Sequence, residues 1–174
     1  MTIEYHCEAL GAHHQRATFA CGVAELDRYF HQQVTQDIRR RVTSCFVAVA
    51  ATSGAIAGYY TLASAGIPIG EVPAELLRRL PRYPTLPAVR IGRLAVDGAY
   101  RGRGVGELLL FDAAARAYRA DQANYALLVD AKDETASAFY RRYGFAPYAS
   151  NPLILFLPLA TAVQAIEQLA SGRK

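Results

Sequence analysis

Three alternating glycines, at positions 102, 104 and 106, stand between an apolar segment and a helical repeat, and they constrain the fold more than any other feature. The segment Val89–Val96 predicts a central strand. Gly104–Arg119 predicts a helix because its apolar residues step by three or four. Glycine has no Cβ, so the main chain of such a turn can approach a ligand closely. A strand, a glycine turn and a helix start are therefore expected in direct succession.

This succession predicts an anion site suited to a pyrophosphate. The first amides of a helix lack intrahelical acceptors and lie at the positive end of the helix dipole. Arg101 and Arg103 add positive charge to the same turn. An ordinary tight turn is the alternative interpretation. Two other phosphate-binding patterns are excluded, because no Gly-Lys-Ser/Thr follows and the glycine spacing differs from that of the dinucleotide fingerprint.

The other predicted elements place hairpin strands early in the chain and strand–helix units later. This order favours an α/β or α+β domain with a mixed sheet and helices packed on it. The further predicted elements are strands over 3–10, 44–51, 56–63, 125–129 and 153–157, helices over 23–41, 74–80 and 135–143, and a proline-bounded loop over 68–87.

Length and composition predict one domain over residues 1–174. An amphipathic pattern predicts a C-terminal helix over about 160–170. A hydrophobic content of 52% excludes wholesale disorder. No apolar run reaches the about 18 residues that a membrane-spanning helix needs. The first residues also lack the basic start and apolar stretch of a secretory signal, so a cytoplasmic protein without a membrane partner is expected.

Cysteine and histidine residues do not predict a disulfide framework or a metal centre. The cysteines are three, an odd number, and they are widely spaced, which favours reduced thiols. None of the possible ligands shows a zinc-type spacing, so no metal is expected. The residues considered as ligands are His6, Cys7, His13, His14 and Cys21.

Two motifs resemble those of a known enzyme superfamily. The pattern Arg-x-x-Gly-x-Gly over 101–106, after Arg-Leu-Ala-Val-Asp over 93–97, resembles the acetyl-coenzyme A motif of the GNAT N-acetyltransferases. The stretch Asp130–Phe145, which contains a Phe-Tyr pair and a later glycine, resembles the second motif of that superfamily. The resemblance implies a GNAT-like mixed, mostly antiparallel twisted sheet with helices on both faces.

The resemblance also implies acetyl-CoA as co-substrate and gives roles to matching residues. The tyrosine of the Phe-Tyr pair, here Tyr140, is expected to be the catalytic general acid. A phenol with a pKa of about 10 stays protonated at neutral pH and can protonate a departing thiolate. Simple packing of Tyr140 is the alternative. The residues expected to bind acetyl-CoA are Leu94, Ala95, Val96, Arg101, Gly102, Arg103, Gly104, Val105, Gly106 and Phe139.

Further segments resemble one subgroup, the acetylating toxins of bacterial type II toxin–antitoxin modules that modify charged tRNA. They include Gly-Tyr-Tyr-Thr-Leu over 58–62 and Leu-Pro-Arg-Tyr-Pro over 80–84, and the similarity runs from about residue 5 to residue 157. The resemblance implies transfer of acetyl from acetyl-CoA to the α-amine of aminoacyl-tRNA, which blocks translation. It also implies a ribbon-helix-helix antitoxin as partner and a homodimer.

Positive charge is concentrated in arginine and in one segment. Arginine supplies 17 of the 19 basic residues, and the segment 75–103 has seven arginines against two acids. Arginine suits the recognition of phosphate, so a track for the phosphates of the tRNA acceptor stem is expected. A merely solvated charged surface is the alternative. The candidate tRNA-binding residues are Arg39, Arg40, Arg41, Arg78, Arg79, Arg82 and Arg93.

Two other functions are left open by the sequence. The first is a housekeeping GNAT acetyltransferase that acts on a protein amine or a small-molecule amine. The second is a catalytically idle, basic nucleic-acid-binding module with the same fold. The Leu80–Pro84 stretch and the arginine surplus favour the toxin over the first, and the intact glycine turn together with Tyr140 favours it over the second.

Overall fold

The computed structural model of the protein describes residues 4–171. Its strands are β1 (Tyr5–Ala9), β2 (Ser44–Ala50), β3 (Ile56–Pro68), β4 (Thr85–Val96), β5 (Ala126–Asp130), β6 (Ala146–Pro147) and β7 (Ile154–Pro158). Its α-helices are α1 (Ala24–Arg28), α2 (Val34–Arg39), α3 (Ala74–Leu77), α4 (Val105–Arg119), α5 (Glu134–Arg142) and α6 (Leu159–Ser171). Within the described residues, no helix is long and apolar enough to cross a bilayer.

The seven strands form one sheet in the order β1-β2-β3-β4-β5-β7-β6. Strands β4 and β5 run parallel, with Ala88 opposite Ala126 and Ile91 opposite Val129. The pairs β1–β2, β2–β3, β5–β7 and β6–β7 are antiparallel. The mixed, mostly antiparallel sheet predicted from the sequence is therefore confirmed.

By its internal contacts the chain divides into two compact units. The first holds the residues up to Ala63 and the segment Gly92–Ala113, and the second holds Ser64–Ile91 and the residues from Ala114 onward. Strands β3 and β4 and helix α4 each have residues in both units. The single domain over 1–174 stays a prediction.

An aromatic cluster forms the core of the first unit. The rings of Phe30 and Tyr59 are stacked with centroids 4.2 Å apart, and Phe19 meets both rings edge-on. The Tyr59 hydroxyl donates a hydrogen bond of 2.9 Å to the carbonyl of Leu26, so its buried oxygen has a partner. Phe30 lies in a π-helical turn, Tyr29–Gln33, that joins α1 to α2 and was predicted only as helix.

Strand β5 lies in the core of the second unit. Its residues Ala126–Val129 are all buried, as a continuous apolar run predicts for a strand covered on both faces. Leu128 shares one buried cluster with Phe156 of β7 and Ile67 of β3. The amide of Leu159 then donates to the carbonyl of Tyr125 at 2.9 Å, so the start of α6 is held beside β5.

The proline-bounded segment differs most from its sequence prediction. Strand β3 extends to Pro68 and β4 begins at Thr85, so the connection is shorter than the predicted loop and contains only α3 and a 3₁₀ turn. Residues at the start of β4 alternate between exposed and buried, which is the period-two pattern of a strand. The prolines at both ends of the segment 68–87 favoured the prediction of a loop over that of a strand. The two-residue strand β6 was also not predicted.

Candidate active site

The glycine turn begins where β4 ends, in the first unit. Asp97 caps the 3₁₀ turn Gly98–Tyr100 by accepting a hydrogen bond of 2.9 Å from the amide of Ala99. Its other carboxylate oxygen accepts from the amide of Ala20, and the amide of Gly98 donates to the Ala20 carbonyl, each at 2.9 Å. The entry into the turn is therefore fixed to the segment that precedes α1.

Two glycines of the turn have backbone angles that favour glycine. Gly102 and Gly104 have φ of 71° and 78°, in the left-handed region. A Cβ at either position would meet nothing within 4 Å, so the main chain there faces open space. The amide of Leu108 donates to the Gly104 carbonyl, which leaves the amides of the first turn of α4 without an intrahelical acceptor. This turn can therefore receive an anion.

Close packing positions the start of α4 against the strands. A Cβ on Gly58 of β3 would lie 2.9 Å from the carbonyl oxygen of Ala95, and it would also meet Val105 and Leu109 of α4. Only glycine allows the helix to approach the two strands this closely. Ala95 is buried, and Leu94 and Val96 are half-buried.

The two arginines of the turn have different surroundings. Arg101 donates to the carbonyl of Cys21, and a side chain at Gly22 would collide with the Arg101 guanidinium. Arg101 therefore holds the turn to the residues before α1. The guanidinium of Arg103 lies 5.9 Å from the centre of the Tyr100 ring, and Arg103 is exposed. Both arginines are exposed, so either guanidinium is accessible to a bound anion.

Tyr140 lies in the second unit, on the last turns of α5. The side chain of Asp133 caps this helix by accepting from the amide of Ala136 at 2.9 Å. The Tyr140 ring contacts Phe139 and Phe145, with centroids 5.2 and 5.4 Å away. Burial raises the pKa of Tyr140 to about 12. Across residues 4–171 its hydroxyl donates to no other group, so it is a protonated donor available to a ligand.

Six of the seven candidate tRNA-binding arginines are exposed. Arg39 ends α2 and Arg40 and Arg41 follow it, while Arg78, Arg79 and Arg82 follow α3. A surface cavity of about 550 Å³ is lined by Arg78, Arg82 and the exposed Tyr83, an aromatic residue that the sequence analysis did not single out.

Arg93 is the exception among these arginines. It is half-buried, and its guanidinium lies 3.4 Å from the centre of the Tyr29 ring. The Tyr29 hydroxyl in turn donates to Asp37 at 3.0 Å. Arg93 therefore packs on the π-helical turn within the first unit.

The open glycine turn can receive a diphosphate-bearing co-substrate, and the half-buried Tyr140 side chain presents a phenol that can donate a proton. Residues 12–153 match the family described as "Acetyltransferase (GNAT) domain". The match covers most of the chain, and this protein belongs to the GNAT acetyltransferase family.

Two curated relatives are both described as toxins. A probable toxin TacT of Sinorhizobium fredii is 33% identical over 157 residues, which cover 85% of this chain and 87% of the relative. A tRNA-acetylating toxin of Mycobacterium tuberculosis is 32% identical over 147 residues, which cover 83% of this chain and 86% of the relative.

Solved structures agree with these relatives. AtaT complexed with acetyl-methionyl-tRNAfMet superimposes with a TM-score of 0.84 at 26% identity, over 95% of this chain and 99% of that one. AtaTR bound with AcCoA gives a TM-score of 0.78 at 25% identity, over 93% and 98% of the two chains. The predicted fold, the acetyl-CoA-dependent N-acetyltransferase class and the resemblance to tRNA-acetylating toxins are confirmed.

Proposed function

We propose that this protein is a toxin that transfers acetyl from acetyl-CoA to the α-amine of aminoacyl-tRNA and so blocks translation. The observation that carries this proposal is the similarity to a tRNA-acetylating toxin over 83% of the chain. A structural relative with acetyl-methionyl-tRNA bound supports the same substrate class. A housekeeping acetyltransferase would share the fold, but that function would not explain the similarity to tRNA-acetylating toxins.

In this proposal the glycine turn holds the pyrophosphate of acetyl-CoA. The open main chain at Gly102 and Gly104 and the first amides of α4, which include those of Val105 and Gly106, supply the donors, and Arg103 supplies positive charge. Arg101 keeps the turn in place through the Cys21 carbonyl. Main-chain groups of Leu94–Val96 bind the pantetheine arm and polarise the thioester carbonyl. Phe139 completes the set of acetyl-CoA-binding residues.

Tyr140 serves as the general acid. The neutral α-amine attacks the thioester carbon, the C–N bond forms and the C–S bond breaks. The Tyr140 hydroxyl gives its proton to the departing sulfur, the amine loses a proton to solvent, and water restores the phenol. An α-amine has a pKa of about 8, so a neutral fraction exists without a dedicated base. Because the pKa of Tyr140 is raised, its hydroxyl is protonated at neutral pH when the C–S bond breaks.

Positioning of the two substrates accounts for more of the rate than Tyr140 does. Fixing two reactants contributes about 7–11 kcal/mol to lowering a barrier. A positioned general acid contributes about 10²–10⁴-fold, or roughly 3–5 kcal/mol. The glycine turn is therefore as necessary for turnover as the phenol.

The exposed arginines bind the phosphates of the acceptor stem in this proposal. The exposed residues are Arg39, Arg40, Arg41, Arg78, Arg79 and Arg82. The half-buried Arg93 is the seventh candidate for tRNA binding. Such contacts depend on salt and carry little information about base sequence. A ribbon-helix-helix antitoxin, a homodimer and a cytoplasmic location belong to the same proposal, because they are what the toxin subgroup implies.

Incubation with labelled acetyl-CoA and total charged tRNA tests the function directly. We expect label on the amino-acid moiety of charged tRNA and none on the same tRNA after deacylation. Growth arrest on induced expression, relieved by a small co-encoded protein, is expected in cells. Label found only on proteins or small amines would contradict the proposal and would favour the housekeeping enzyme.

A further inference from the structure

A compact group of histidines surrounds one carboxylate at the start of the chain. Glu8 lies in β1, and His13 and His14 lie in the turn that follows. One Glu8 carboxylate oxygen, Oε1, is 2.6 Å from Nε2 of His14 and 3.4 Å from Nε2 of His13. The other oxygen, Oε2, is 3.7 Å from Nε2 of His6. One ligand atom each of Glu8, His13 and His14 lie within 4.8 Å of one another.

The turn is built to bring the two histidines to Glu8. The amide of Gly11 and its carbonyl lie 2.8 and 3.2 Å from Nδ1 of His14, whose side chain is only 2% exposed. A Cβ on Gly11 would approach the His13 ring to 2.9 Å, so a glycine at this position makes room for that ring. The rings of His13 and His14 lie against each other with centroids 4.0 Å apart. Both Nε2 atoms therefore reach the same carboxylate oxygen.

We propose that Glu8, His13 and His14 bind a divalent first-row transition ion of the zinc class. Imidazole nitrogen and carboxylate oxygen are the ligands that such ions share, at about 2.0–2.2 Å. In a tetrahedral site those bond lengths put neighbouring ligand atoms about 3.3–3.5 Å apart. The distance of 3.4 Å between Glu8 and His13 already has this value, and the distance to His14 needs to lengthen by less than 1 Å.

The surroundings of His14 satisfy its ring without an ion and offer a partner for its second nitrogen with one. Without an ion, Nε2–H donates to Glu8 and Nδ1 accepts from the Gly11 amide at 2.8 Å. With an ion, Nε2 becomes the ligand and Nδ1–H donates to the Gly11 carbonyl, now 3.2 Å away, after the Gly11 amide turns away from this nitrogen. A ligating histidine usually donates its second ring N–H in this way, which fixes its orientation. The fourth position of the ion is left to water or to His6.

The site has a structural role in this proposal. Strand β1 lies at one end of the sheet order and pairs with β2. An ion held by Glu8, His13 and His14 would fasten this strand to the turn that follows it, so binding should stabilise the fold without taking part in acetyl transfer. The expectation that the protein uses no metal came from the absence of a zinc-type spacing in the sequence. A strand followed by a turn can bring ligands together at other spacings.

Titration of the untagged full chain with Zn²⁺ alone tests the site. We expect one ion per chain, a rise in Tm on binding, and an unchanged rate of acetyl transfer. Replacement with His13→Ala or Glu8→Gln should raise the dissociation constant by more than the about 10–100-fold that loss of an outer-sphere partner costs. His13 is 73% exposed, so its truncation leaves the fold intact, which the Tm without metal verifies.

Two matched variants serve as controls. His31→Gln removes the remaining histidine of the chain, which contacts the Phe19 carbonyl, and it should leave the dissociation constant unchanged. Cys7→Ser should also leave it unchanged, and Co²⁺ in the site should show tetrahedral absorption without a thiolate charge-transfer band. The absence of stoichiometric Zn²⁺ binding, binding that persists in His13→Ala and Glu8→Gln, or binding lost in Cys7→Ser would overturn the proposal.

Discussion

The glycine turn and the Tyr140 region differ in how they meet a ligand. The turn offers main chain, open to solvent, in a conformation that glycine alone adopts easily. Tyr140 offers one side-chain atom on a ring packed among aromatic residues, with a pKa raised by burial. The first arrangement suits binding and the second suits proton transfer. Affinity for acetyl-CoA and the rate of acetyl transfer should therefore be separable by mutation in this protein.

The largest separation is expected from Tyr140→Phe. The ring and its contacts with Phe139 and Phe145 are retained, but the proton donor is lost. We expect kcat to fall about 10²–10⁴-fold while the KM for acetyl-CoA stays the same. Steady-state kinetics with charged tRNA measures both. Tyr143→Phe, the same change near the end of the same helix, should keep kcat; a Tyr140→Phe enzyme of near-normal rate would refute the acid role.

A valine at Gly104 should have the opposite effect. A β-branched residue at a φ of 78° costs about 1–3 kcal/mol of strain, which the turn can relieve by moving away from its binding conformation. Acetyl-CoA should bind about 5- to 150-fold more weakly, as measured by calorimetry. Gly54→Val is the matched control, because Gly54 has a φ of 71° and equally open surroundings in a hairpin turn. Equal losses of affinity in both variants would mean that the turn has no special role.

A third and smaller effect is expected from the exposed arginines, because they should affect tRNA binding without affecting the glycine turn or Tyr140. The double change Arg78→Glu and Arg79→Glu should raise the KM for charged tRNA and spare acetyl-CoA binding. If each arginine neutralises one phosphate, the slope of log affinity against log salt should become shallower by about two. The pair Arg28→Glu and Arg119→Glu changes the net charge equally at exposed sites outside the candidate set. A parallel loss in both double variants would show a general charge effect.

The smallest expected effect is on the pH profile. A tyrosine of ordinary pKa is half ionised at pH 10 and would halve the rate there. Because burial raises the pKa of Tyr140 to about 12, the acid stays protonated and kcat should not decline as pH rises through 10. Initial rates on an amide-linked aminoacyl analogue, which resists alkaline hydrolysis, measure this. A decline centred near pH 10, with the fold intact by circular dichroism, would contradict it.

Sequence reasoning succeeded where local chemistry decides the structure. The backbone angles at 102 and 104 favour glycine, so the turn and the helix after it could be predicted from residue type and spacing. The apolar run of β5 was predicted for the same reason, since burial on both faces leaves a continuous pattern. The position of Tyr140 followed from the family motif rather than from any physical signal in the neighbouring residues.

Features that depend on distant partners could not be predicted. The bond from Arg101 to the carbonyl of Cys21 joins residues 80 positions apart in the chain, and the role of Arg101 in binding acetyl-CoA stays a prediction. Arg93 was expected on a tRNA surface, and its stacking on Tyr29 depends on how β4 meets the π-helical turn. The group around Glu8 was missed because five and six residues separate it from its histidines, a spacing that only the turn at Gly11 makes short.

The bonds from Asp97 to Ala20 and from Arg101 to Cys21 have a consequence for protein engineering. The motif that is typical of this family is continuous in sequence, but the turn that it forms is held by hydrogen bonds to a second segment, residues 20–22. A graft of residues 97–106 into another scaffold would leave behind the segment 20–22 that braces it. A transplant of this turn would therefore need both segments, 20–22 and 97–106, with glycine kept at position 22.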